Sequence, residues 1–365
     1  MTVRAYLELF AGGAACALAL MGGPRVVPPV GYMGGKRKLA PSILGTVGLR
    51  PGQGADRVLL CDAGEWGGVW TEVVRAGPGL AERLLAWDGR DPSDLWRELA
   101  AAGRPEDPQE RAAAYLWLQG RAASCTPVWW ADDGETMMAR SSSSGGGEQR
   151  VCHGLVMPDP PRGGSCVVQP ATARADEPAR LVMTDKPGRP AQRAQEMHPG
   201  PCGDAVERSR IPKEKGRRSA GSGIMRPATV AARVLAASAA LRSAGGGVRV
   251  DRQHPSADDV AAWLGTPQDL HDVVVVLDPP YVGATRYEAT CSRDRVVALA
   301  EDYRRLGASV VVCEAEALPE LLALGWHALD LREASATEGK PEWLTCSDPP
   351  QRVAVPRQLK LWSAA

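Results

Sequence analysis

The residue types best suited to chemistry in this 365-residue chain are Asp278-Pro279-Pro280-Tyr281, directly after the apolar run Val273-Val274-Val275-Val276-Leu277. Such a run reads as a buried parallel strand, whose carboxyl end points a carboxylate, a fixed carbonyl and an aromatic ring into a crevice. That trio suits an exocyclic amine of a nucleobase. The amine is a weak nucleophile because its lone pair is delocalised into the ring. Hydrogen bonds accepted from both N–H groups draw its nitrogen toward tetrahedral geometry. Asp278 can accept one and the Pro279 carbonyl the other, while Pro280 fixes its own φ and biases Pro279 toward an extended conformation. Tyr281 can stack on a base swung out of its helix. The competing reading is an ordinary proline turn after a strand, because short motifs carry false positives.

Two further segments could position a ligand beside that turn. Tyr6-Leu7-Glu8-Leu9-Phe10-Ala11-Gly12-Gly13-Ala14 reads as a strand breaking into a glycine turn, with a small-residue helix from Ala15 to Met21. Glycines there let the backbone approach a ligand closely. A secretory signal fits poorly, since Glu8 interrupts the approach and the apolar stretch is short. Gly31-Tyr32-Met33-Gly34-Gly35-Lys36-Arg37-Lys38 precedes a helix predicted over residues 39–47. It lacks the four-residue spacer and the hydroxyl residue of a phosphate-binding P-loop.

Together, Phe10-Ala11-Gly12-Gly13, Tyr32-Met33-Gly34-Gly35-Lys36 and Asp278-Pro279-Pro280-Tyr281 resemble the Dam-type adenine DNA methyltransferases. The resemblance implies a doubly wound, Rossmann-like α/β sheet, S-adenosylmethionine as cofactor, DNA as partner and methyl transfer to the 6-amino group of adenine. It continues through Gly283-Ala284-Thr285-Arg286-Tyr287, a helix over residues 293–306 ended by Gly307, a strand over 309–314, and a late strand at Trp343-Leu344-Thr345-Cys346-Ser347 after Glu342. By motif, Asp278, Pro279, Pro280 and Tyr281 form the reaction centre. Glu8, Phe10, Gly12 and Gly13 floor the cofactor pocket, and Gly34 and Gly35 belong to its second loop. Tyr32 packs near the methyl donor, and Lys36 meets the cofactor carboxylate or a DNA phosphate. Asp62, after the strand Arg57-Val58-Leu59-Leu60-Cys61, either meets ribose hydroxyls or caps a helix. Methyl transfer itself requires no metal, because the sulfonium carries its own activating charge.

Three features depart from the family's pattern. The Gly-Gly-Lys segment follows the Phe-containing glycine turn instead of preceding it. Ala14 stands where a further glycine is common. Where the family often places an acid near the adenine ring, Val248-Arg249-Val250-Asp251-Arg252-Gln253-His254 offers either Asp251 or His254.

The rest of the sequence describes the frame for these residues. Net formal charge is zero, with 43 basic and 43 acidic residues, which neither supports nor excludes DNA binding. Nine scattered cysteines, an odd number without a Cys-x-x-Cys pair, point to reduced thiols in a cytoplasm. No run has the apolar length of a membrane span. The expected order is a cofactor-binding half at residues 1–124, an inserted target-recognition region at 125–223 and a catalytic half at 224–365. A helix over 106–124 with an Ala112, Tyr115, Leu116 and Leu118 stripe closes the first half. A helix over 225–240 with Val230, Val234 and Leu235 opens the last. The insertion is rich in glycine, proline and charge, and ends in a basic cluster, Arg208, Arg210, Lys213, Lys215, Arg217 and Arg218, suited to phosphates or to a solvated loop. Cys152, His153, Cys166, His198 and Cys202 are ligand types for a structural zinc, but irregularly spaced, so no metal is expected. Two other readings stand: transfer to another nucleic-acid amine, on cytosine or in RNA, and a catalytically silent nucleic-acid-binding protein of the same fold.

Overall fold

The computed structural model describes residues 3–31, 36–121, 128–130, 137–140, 148–150, 225–266, 268–281, 291–331 and 342–351. Strand β1 (Val3–Leu9) leads through the glycine turn into α1 (Ala15–Gly22) and α2 (Ala40–Thr46). Then come β2 (Ala55–Cys61), α3 (Glu65–Leu85), α4 (Pro92–Ala102) and α5 (Pro108–Arg121). Three short strands, β3 (Val128–Trp130), β4 (Met137–Arg140) and β5 (Glu148–Arg150), pair antiparallel as a separate sheet. Apart from these strands, the expected insertion at 125–223 lies outside the described residues. The chain continues with α6 (Pro227–Arg242), β6 (Val248–Asp251), α7 (Ala257–Leu264), β7 (Val273–Leu277) and α8 (Arg293–Arg305). It closes with β8 (Ser309–Glu314), α9 (Pro319–Ala323), β9 (His327–Asp330) and β10 (Trp343–Cys346).

Seven strands form one mixed sheet in the order β6-β2-β1-β7-β8-β10-β9. The first five run parallel, and β10 is antiparallel to both neighbours. Period-two alternation explains why both faces are covered by helices. On β1, Tyr6 packs into a core shared with α1, α2, α3, α5 and α6, while Ala5, Leu7 and Leu9 face a second core with α7 and α8. β7 is buried along its whole length, as a valine run between two helical layers must be. This α/β architecture is compatible with a Rossmann-like fold. Strand order reverses between β1 and β7, and the crevice at their carboxyl ends is where such sheets place ligands.

Local signals account for the element ends. Ser256 and Asp259 form a reciprocal capping box at the start of α7, and Gly265 ends it in the left-handed region at φ 71°. α3 kinks at Ala76, just before Gly77-Pro78. Gly77 is the close approach of α3 to α6: a Cβ there would stand 2.3 Å from Ser238 Oγ. The helices expected at 106–124 and 225–240 are present as α5 and α6 with shifted ends. On α6 the buried stripe includes Val230 and Val234 but not Leu235, which is exposed. Helices α3, α4, α7 and α9 and the strand β9 are present beyond the elements expected from the sequence. Among the described residues, no helix is long and apolar enough to cross a membrane.

Candidate active site

The carboxyl ends of β1 and β7 are stitched together, with Asp278 N–H donating to the Leu9 carbonyl at 3.1 Å. Alternation along these strands turns Glu8 and Asp278 to the face that α1 covers, because Leu9 and Leu277 point to the other core. The turn after β1 is unusual backbone. Phe10, Gly12 and Ala14 adopt φ of 60°, 44° and 48°, a conformation glycine takes readily and other L-residues resist. Side-chain and backbone hydrogen bonds hold it there. Glu8 accepts from Ala17 N–H at 2.6 Å and Cys16 N–H at 3.4 Å, capping α1 from the strand because Ala14 has no capping side chain. Asp62 accepts from Gly12 N–H at 2.8 Å and from Gly64 N–H at 2.9 Å. Trp70 Nε1 donates to the Gly12 carbonyl at 2.7 Å, and Ala11 N–H to the Cys61 carbonyl at 2.8 Å.

Asp278, Tyr281, Lys36 and Glu342 converge on the β7 side of the crevice. Lys36 precedes α2, and its carbonyl accepts from Leu39 and Ala40 N–H, which fixes the root of the side chain. Lys36 Nζ lies 2.8 Å from Asp278 Oδ1, 3.3 Å from Glu342 Oε1 and 2.5 Å from the Tyr281 hydroxyl. That hydroxyl in turn donates to Glu342 Oε1 at 2.5 Å. Only 6% of the Lys36 side chain and 20% of the Asp278 side chain are exposed, so these charges interact with little screening.

Burial sets the ionisation of the group. Asp278 is pushed up to about 6 by desolvation and by Glu342, against the pull of the Lys36 ammonium. Lys36 is held charged, its desolvation outweighed by Asp278, Tyr281 and Glu342. Desolvation raises Glu8 to about 8, and Asp278 adds to the rise while the Ala17 and Cys16 N–H groups oppose it. Glu314, at the end of β8, is raised by burial to about 7.

The predicted site residues therefore fall into two sets. Glu8, Gly12, Gly13 and Asp62 build and clamp the glycine loop. Both Asp62 oxygens serve backbone N–H groups, one in the glycine loop and one two residues further on at Gly64, so Asp62 ties that loop to the turn before α3. Phe10, the chain's single phenylalanine, packs against the His254 ring at 3.9 Å between centroids. Asp278, Pro279, Pro280, Tyr281 and Lys36 form the second set, with Pro279 buried and the rest of the turn half-buried. Tyr32, Gly34 and Gly35 lie outside the described residues. So do the basic cluster Arg208, Arg210, Lys213, Lys215, Arg217 and Arg218, the segment Gly283 to Tyr287, and the zinc-type ligands Cys152, His153, Cys166, His198 and Cys202.

Sequence reasoning missed Glu342 as a member of the site and left Asp251 and His254 unresolved. An isolated acid directly before the apolar strand Trp343-Leu344-Thr345-Cys346 was the available signal. Asp251 is paired with Arg249 at 2.8 Å. His254 is lowered to about 4 by burial and by Arg295, and its buried Nε2 has no hydrogen-bond partner among the described residues. Among those residues, no three His, Cys, Asp or Glu side chains are grouped to hold a metal. No protein-family model and no curated protein matches this chain.

Proposed function

We propose that the chain is an S-adenosylmethionine-dependent methyltransferase acting on the N6 amine of adenine in DNA. The observation that carries this reading is a nitrogen already seated at the proposed amine site: Lys36 Nζ, 2.8 Å from Asp278 and beside Tyr281, at the strand-order reversal next to the glycine loop. The residues present suit the cofactor. His254 offers an orphaned buried nitrogen beside the Phe10 ring, an environment matched to a heteroaromatic base. When bound, S-adenosylmethionine supplies an electrophilic methyl group whose sulfur leaves as a neutral thioether.

The chain's own residues supply the rest. Asp278 accepts one N–H of the amine and concentrates electron density on the nitrogen. Raised to about 6, it is ionised at neutral pH yet basic enough to take up the proton that the methylated nitrogen sheds. Tyr281 gives the flipped base a stacking face, and Asp62 and Glu8 hold the loop that approaches the cofactor. DNA is the implied partner, and the cytoplasm, where thiols stay reduced, is the implied compartment.

The test is methyl incorporation by the full chain, followed by digestion of the nucleic acid to nucleosides and mass identification. N6-methyldeoxyadenosine supports the reading. N4-methylcytosine or methylated RNA moves the substrate to another amine. Asp278→Ala should retain calorimetric binding of S-adenosylmethionine and lose transfer. Absence of cofactor binding in the unmodified chain overturns the reading in favour of a silent nucleic-acid-binding fold.

A further inference from the structure

Glu342 reaches the site from the far side of β7 relative to the glycine loop. It stands directly before β10, and its carbonyl accepts from Leu331 N–H at 2.8 Å, so the backbone beneath it is fixed. Its side chain is 12% exposed, accepts the Tyr281 hydroxyl at 2.5 Å and lies 3.3 Å from Lys36 Nζ. Two carboxylates therefore share one ammonium in a poorly solvated place. Burying the second carboxylate opposes folding unless its partners compensate, and a hydrophobic residue of similar volume would avoid that desolvation. Asp278 also faces a conflict. Its Oδ1 holds Lys36, and an amine arriving at the same carboxylate competes with that ammonium.

We propose that Glu342 is a positioning residue of the amine site, fixing the Tyr281 ring through its hydroxyl and taking over Lys36 when Asp278 turns to the substrate amine. The proposal rests on the methyltransferase reading above. The ammonium already spans both carboxylates, so the exchange needs rotation about the end of one lysine side chain and no backbone movement. Among the described residues, the groups that face Asp278 are Lys36, Glu342 and Tyr281, with Glu8 of β1, Cys16 of α1, and Cys313 and Glu314 of β8 around them. Only Lys36 among these carries positive charge. Dividing that charge with Glu342 leaves Asp278 more basic.

Glu342→Gln in the full chain tests this, because glutamine keeps the size and still accepts the Tyr281 hydroxyl but cannot neutralise an ammonium. Expected are a fall in kcat of about 10-fold to 100-fold with the KM for S-adenosylmethionine unchanged. The Asp278 carboxyl carbon-13 resonance, assigned by its loss in Asp278→Asn, should titrate about one pH unit lower, because Lys36 is then undivided. Glu342→Asp, which keeps the charge, should return the titration toward the unsubstituted value. An unchanged kcat together with an unchanged Asp278 midpoint overturns the proposal, and so does a loss of thermal stability with neither shift. If the unsubstituted chain transfers no methyl group to any amine, the functional reading fails. The carboxyl midpoint in Glu342→Gln then still decides whether Glu342 divides the charge of Lys36.

Discussion

Lys36 and Asp278 meet at 2.8 Å although one lies before α2 and the other directly after β7, so the loops at the mouth of the crevice are joined by an ion pair. Removing one partner of such a pair leaves the other charge buried without compensation. Lys36→Met should destabilise the fold by about 3–5 kcal/mol and raise the Asp278 pKa above its value of about 6. Urea unfolding at pH 7.5 measures the loss. The double substitution Lys36→Met with Asp278→Asn should recover part of it, and stability within about 0.5 kcal/mol of the unsubstituted chain would refute the pairing.

Asp278 also predicts the acidic limb of any activity. The ionised form is the one that accepts an amine N–H, so kcat/KM should fall as pH drops through about 6. An aspartate in its usual range would put that limb about two units lower, so its position is diagnostic. A profile flat down to pH 4.5 would remove Asp278 from the acceptor role.

Glu8 makes a separate statement about stability. Its folded pKa of about 8 lies above the ordinary carboxylate value of 4.5, so the folded state binds more protons between those limits. The contribution is fully present below about pH 4.5 and is lost as pH rises through about 8. Glu8→Gln, which resembles the protonated form, should flatten that decline. Thermal melts of the two chains at pH 5 and pH 9 give the comparison, with a difference on the order of a few kcal/mol across the window. Parallel curves would contradict the raised pKa.

What the sequence disclosed follows from how local each signal is. The valine run of β7 and the glycine turn after β1 are continuous segments whose period and punctuation specify them, and both are present where expected. Asp278 and Tyr281 were legible for the same reason. The convergence of Lys36 on Asp278 was not, because it depends on where α2, packed on α1, sets the residue that precedes it, and no spacing in the chain encodes that. The meaning of Glu342 comes only from the register that sets β10 beside β8, which is a long-range pairing. Helix α3 was hidden by Gly67, Gly68, Gly77 and Pro78, residues that normally argue against a helix, and tertiary packing overrides them.

Gly77 shows how tight that packing is. An alanine Cβ would stand 2.3 Å from Ser238 Oγ and 2.6 Å from Ser238 Cβ, both too close to accommodate without moving α3 from α6. Gly77→Ala should cost about 1–3 kcal/mol despite the better helix propensity of alanine. Pairing it with Ser238→Gly removes both contacts and should restore stability relative to Gly77→Ala alone. A single substitution that stabilises the chain would show that the helices yield freely.

Asp62 separates two roles that the strand-end position alone leaves open. Its oxygens accept from Gly12 N–H and Gly64 N–H, and burial raises its pKa while those two bonds lower it. Asparagine at this position keeps one acceptor and turns an N–H donor against the other glycine. Asp62→Asn should therefore destabilise the chain by about 1–3 kcal/mol without any ligand present, as expected for a buried donor left unpaired. Cofactor affinity should weaken along with it, because the glycine loop loses its clamp. Denaturant unfolding and calorimetry on the same preparation decide the matter. Stability held at the unsubstituted value with affinity lost would assign Asp62 to the ligand directly, since only a group that touches the ligand can affect binding while leaving the empty loop intact.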